Sequence, residues 1–171
     1  MQTVNFFKSP YTLSTCVLLL LMVTIGCDKE NTPEKKRYYF TGITPTDANG
    51  NLMAMPDTTD WKTGDVWNEA EEKLFADTYV TNCTPSHPYK ITVAPNPCVT
   101  SFIAWFNKDS STQVNMRLVD ENLNVLLSVD SVTAGAVSID VSSFVKDTVR
   151  LYYKFIANNC EFKGHGDVLI R

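Results

Sequence analysis

The chain has 171 residues, of which 44% are hydrophobic and 20% charged, which is enough to bury a sizeable core. Its 19 acidic side chains outnumber the 15 lysines and arginines, for a net charge of −4. That balance weighs against nucleic acid as a partner, because such binding needs Lys and Arg gathered on one face.

Lys8 precedes a mostly apolar run over residues 11–25. The run is short for a bilayer span, which wants roughly 20 apolar residues. A basic start, an apolar stretch and a small residue at the cut make a secretory signal, here residues 1–26 with Gly26 as the small residue. Val23-Thr24-Ile25-Gly26-Cys27 resembles a bacterial lipobox, in a form similar to those of Bacteroidota lipoproteins. The resemblance implies cleavage between Gly26 and Cys27, lipidation of the Cys27 sulfur, and a membrane partner reached through that lipid. Acyl chains contribute about 0.8 kcal/mol per buried methylene, so two or three of them anchor stably. Residues 27–37 then form a hydrophilic tether. The expected location is the cell envelope, at the outer membrane, on its periplasmic or surface face.

Three cysteines follow the tether: Cys83, Cys98 and Cys160. In an oxidising compartment they predict one disulfide and one free thiol. Three pairings are open; Cys98 with Cys160 is favoured, since both fall within the later β-rich region. No Cys-x-x-Cys spacing supports a metal, and no cofactor is implied.

Residues 38–88 read as strand, turn, helix and linker. Tyr38-Tyr39-Phe40-Thr41 is aromatic and β-branched, as a short strand would be. Asp47-Ala48-Asn49-Gly50-Asn51 is a tight turn, with Gly50 supplying a positive φ. A calcium loop is the weaker reading there, because the glycine is misplaced and no glutamate follows at the right distance. Residues 64–77 predict one helix capped by Asp65, with Trp67, Ala70 and Leu74 on one face, of which Trp67 and Leu74 should pack on the β-domain. Pro85 and Pro88 mark the end of the linker.

From Tyr89 the period becomes two. Val114, Met116 and Leu118 alternate with Asn115 and Arg117, and Val149, Leu151, Tyr153 and Phe155 alternate with Arg150 and Lys154. Val125, Leu127 and Val129 and then Val137, Ile139 and Val141 repeat the pattern. Such strands have one buried and one wet face. The expected fold is mainly β: a seven-stranded, Ig-like antiparallel β-sandwich over residues 89–171, with one short N-terminal helix.

Pro95, Asn96 and Pro97 kink the opening strand, which can then resume on the other sheet. The order "PNP", "MRLVDENLNVLLS", "VSIDVSSF", "VRLYYKF" resembles a type IX secretion C-terminal sorting domain over residues 91–171. Asp120, Ile139 to Ser142, and Tyr152-Tyr153 take the hairpin, "idls" and tyrosine places. The resemblance implies a PNP-motif sandwich and, as one reading, a secreted or surface cargo with an export tail.

His165 and Asp167 lie two apart between Gly164 and Gly166, without a nucleophile in sight; the glycines suggest a bulge. His87 reads as a loop residue. No catalytic or metal constellation stands out. The function expected is a non-enzymatic envelope lipoprotein, a binding or assembly module with a protein or glycan partner.

Overall fold

The computed structural model describes residues 37–77, 79, 83–85 and 88–171. Gly26, Cys27, most of the tether and His87 lie outside them. The described residues belong to one compact unit.

Eight strands form two antiparallel sheets. The larger sheet runs β1 (Lys62–Thr63), β8 (Cys160–Leu169), β7 (Thr148–Ala157), β4 (Gln113–Val119) and β5 (Val125–Val132) from edge to edge. The smaller has β3 (Ser101–Asn107) between β2 (Lys90–Ala94) and β6 (Ala136–Asp140). Seven strands come from residue 89 onward, as the alternation predicts; the eighth, β1, is lent by the N-terminal segment.

The apolar positions of the period-two pattern build the main core. Val114, Met116, Leu118, Leu151, Tyr153 and Phe155 of the large sheet face Ile91, Val93, Phe102, Ala104 and Ile139 of the small one. The β7–β8 hairpin turns through Asn158 and Asn159, both with positive φ, as the two-residue turn of a twisted hairpin requires. Between β4 and β5 the register shifts beside Asn115, whose side-chain oxygen takes the N–H of Ser131 at 2.7 Å in place of a ladder bond.

The other face of the large sheet departs from the expectation. It is not wet: Tyr152, Lys154, Glu161 and Asp167 are buried under residues 38–77. Phe40, Trp67 and Phe75 form a second small core on Tyr152 and Val119, with Leu74 half-buried beside them. The packing of Trp67 and Leu74 on the β-domain thus holds, and Phe75 joins them.

Local structure in this layer differs from prediction in two places. Residues 38–41 make no strand; Tyr38 donates one backbone bond to Glu121 and Phe40 is spent on burial. The helix is one turn, α1 (Glu69–Glu72), capped by Asn68 rather than Asp65. Asn68 and Glu71 form a reciprocal capping box. Gly64 and Asp65 are withdrawn from the helix because their N–H groups bond the Lys163 carbonyl of β8. The Asp47–Asn51 turn is present: Gly50 has φ 82° and the Asp47 carboxylate accepts from the N–H groups of Asn49 and Asn51.

Candidate functional site

Pro95-Asn96-Pro97 does not transfer the chain between sheets. β2 and β3 pair with each other, and the motif is the loop that joins them. Just after it, Cys98 makes a parallel bridge to Ile170, beside the end of β8. Asn96 is fully buried in that loop. Its Nδ2 donates to the carbonyls of Asp167 (2.9 Å) and Thr44 (3.3 Å), and its Oδ1 accepts from Leu169 N (3.0 Å). Thr46 adds two backbone bonds to the Asn96 main chain. An amide has both donor and acceptor at the right spacing for this, so Asn96 ties the N-terminal layer, the loop and the last strand together.

The cysteine pairing is corrected. Cys83 and Cys160 form the disulfide, with Cα atoms 6.1 Å apart, and Cys98 is buried and free. Cys98 sits at the far end of β8 from Cys160. About ten residues of strand at roughly 3.3 Å each separate those ends, whereas a bridge needs Cα atoms within about 7 Å. Burial also pushes the Cys98 thiol pKa up.

The glycines beside His165 are not bulge residues, since the β7–β8 register runs unbroken from Thr148–Leu169 to Ala157–Cys160. They mark close approach. A Cβ on Gly164 would stand 1.8 Å from the Lys62 carbonyl oxygen, and one on Gly166 would stand 2.3 Å from the Trp61 indole. β1 and Trp61 can lie over β8 only where side chains are missing.

His165 and Asp167 share the covered face yet diverge in their contacts. His165 Nδ1 lies against Asp65 Oδ2 without a well-formed hydrogen bond, and Tyr152 is its aromatic neighbour at 5.7 Å. Burial first, and then the Arg150 charge, lowers the His165 pKa. Asp167 meets Arg150 through two bonds of 2.6 and 3.0 Å and accepts Gly42 N at 3.1 Å.

Most of the polar groups around them find partners inside the layer, while Thr44 Oγ1 and Trp67 Nε1 are buried without a hydrogen bond. The Asp60 carboxylate accepts Thr44 N (2.9 Å) and Asp167 N (2.7 Å). Burial pushes its pKa up to about 6 against those two bonds. Glu71 accepts the Tyr152 hydroxyl at 2.7 Å, and Glu161 takes Lys154 at 2.8 Å. Lys163 pairs with Glu72. Arg150 stacks over Phe40 at 4.4 Å and Lys163 over Trp67 at 5.2 Å. Chemically this arrangement holds one layer onto another. Alternation made these polar residues look solvated; Asp60, Thr44 and Trp61 carried no sequence signal at all.

Among the described residues no group of three or more His, Cys, Asp or Glu is placed to hold a metal, and no helix is long and apolar enough to cross a membrane. The Pro95–Pro97 loop lies at the end of the sandwich where β4 stops and β7 starts. Tyr38 bonds Glu121 at that same end, where the chain enters the fold. Comparison with protein-family models, curated proteins and solved structures finds no match.

Proposed function

We propose that this chain is a non-enzymatic, lipid-anchored envelope protein that presents a rigid β-sandwich for binding or assembly at the outer membrane. The observation that carries this reading is the order of features. A lipobox-like cysteine, Cys27, stands ten residues ahead of a domain closed by the Cys83–Cys160 disulfide. Disulfides persist outside the cytoplasm, which is where a lipidated cysteine is made and kept.

The type IX resemblance gives the competing reading, a cargo whose sandwich is an export tail. The position of β8 weighs against removal of that tail. β8 lies between β1 and β7 and supplies the partners of Asn96, so cutting it away would open both cores.

The partner is a protein or a glycan. β5 supports strand addition, because among the described residues its eight residues pair with β4 on one edge and with no strand on the other. Intact mass of the protein from host membranes tests the whole reading. Two or three acyl chains on Cys27 with Arg171 retained is the expected result. An unmodified Cys27, or a chain cut before β8, overturns it.

A further inference from the structure

Nine large apolar side chains stay exposed among the described residues, and five of them gather at the end where the chain enters. Tyr39 is 84% exposed, Val145 82% and Val99 64%; Val125 and Leu126 lie alongside. Two shallow depressions adjoin there and share Glu121, Asp147 and Thr148; Tyr39 borders one, and Leu126 and Val145 border the other. Val99 follows Cys98, whose backbone bonds Leu169 and Arg171 at this same end, while Ile170 N bonds the Asp147 carbonyl.

The charges at this end are asymmetric in their engagement. Asp120, Asp140 and Asp147 each accept backbone N–H groups of their own turns, and Glu121 pairs with Arg37 at 3.4 Å. Lys146, next to Asp147, and Arg171, whose N–H bonds the Cys98 carbonyl, are both exposed near this end.

The chain leading to Cys27 leaves from this end. Cys27 and Arg37 are ten positions apart in the sequence, which at roughly 3.5 Å each sets a separation of at most about 35 Å. Resting on the lipid anchor at Cys27, we propose that this end of the sandwich docks on the lipid surface itself. Tyr39, Val99 and Val145 enter the headgroup region, and Lys146 and Arg171 lie near the phosphates. Three such side chains are too few to hold a free domain on a bilayer. The tether removes that demand, because it makes docking intramolecular at an effective concentration on the order of millimolar. An aromatic with a polar tip, as at Tyr39, suits the interface.

The test uses the full lipidated protein in phosphatidylethanolamine–phosphatidylglycerol vesicles that carry a headgroup-region nitroxide lipid. A fluorophore is placed at Val145→Cys or Tyr39→Cys, and at Gly135→Cys in the β5–β6 turn of the opposite end. Gly135 has open space around it and tolerates the label. Side chains sunk about 5–10 Å into the headgroup boundary should be quenched about threefold more than the label at position 135. Val99→Glu with Val145→Glu, both at exposed positions, should bring the label at position 39 down to the level of position 135. Equal quenching at both ends in protein that floats with the vesicles overturns docking and leaves the anchor standing. Wild-type protein that does not float overturns the anchor, and this proposal with it.

Discussion

Arg150 on β7 and Asp167 on β8 face each other across the sheet and close a two-pronged ion pair, Nε to Oδ1 at 2.6 Å and Nη2 to Oδ2 at 3.0 Å. The pair is buried beneath the N-terminal layer, and Phe40 covers the guanidinium. The same carboxylate takes Gly42 N, so one side chain fastens sheet and layer together.

Removing one member of such a pair leaves a buried charge without its partner. Asp167→Ala should lower unfolding free energy by about 3–5 kcal/mol in urea titrations. Asp167→Asn, which keeps the shape and one acceptor, should cost less. Equal stability of Asp167→Ala and the wild type would mean that the layer does not exclude water.

Asn96 should be nearly as costly, for a different reason. Asn96→Ala strands the carbonyls of Thr44 and Asp167 and the N–H of Leu169 in a dry site, at about 3 kcal/mol. Amide exchange should report the loss first at Leu169, whose N–H bonds the Asn96 side chain across the loop. Unchanged protection there would sink the idea.

Gly135, Gly166 and Gly164 make an internal series. Gly135→Ala should be neutral, since nothing lies within 4 Å of the new methyl. Gly166→Ala must push Trp61 aside and should cost about 1–3 kcal/mol, with a shift in tryptophan fluorescence. Gly164→Ala meets backbone, the Lys62 carbonyl, and should cost more still. Thermal melts that reverse the order of the last two would overturn the close-approach account.

Two titrating groups in the layer act in opposite senses. The Asp60 carboxyl is raised from 3.8 to about 6, so its contribution to stability is full below 3.8 and is lost as pH rises through about 6. His165 is lowered from 6.5, so its contribution is present above 6.5 and is lost as pH falls. Carbon-13 NMR of the Asp60 carboxyl should show a midpoint near 6. Against the wild type, Asp60→Asn should lose less stability as pH rises from 4 to 7, and His165→Gln less as pH falls below 6.5.

The disulfide closes a separation of 77 residues. Cys83→Ser should lower stability by about 2–4 kcal/mol, and dithiothreitol should then have no further effect. Cys98, buried at the far end of β8, should stay silent to thiol reagents until denaturant is added.

The sequence by itself determined the sandwich. Alternation at Val114–Leu118 and Val149–Phe155 requires strands with one apolar face, and that face can be buried only against a second sheet. A turn was legible where a special φ value is needed, as at Gly50. The proposed lipid anchor also rests on a local pattern, the five residues that end at Cys27.

Tertiary structure decided whatever depends on which distant groups meet. Alternation cannot say that the polar face of the large sheet is covered, because Lys154, Glu161 and Asp167 are as polar when matched in a dry layer as when solvated. Residues 64–65 bond the Lys163 carbonyl instead of extending the helix, following β1, whose Lys62 carbonyl can approach β8 because residue 164 is glycine. Asn96 becomes a knot of three segments, and Cys160 takes Cys83 rather than Cys98, because strand length fixes which ends of β8 each can reach. Local pattern specifies which elements form; only their packing specifies which atoms are left to bond.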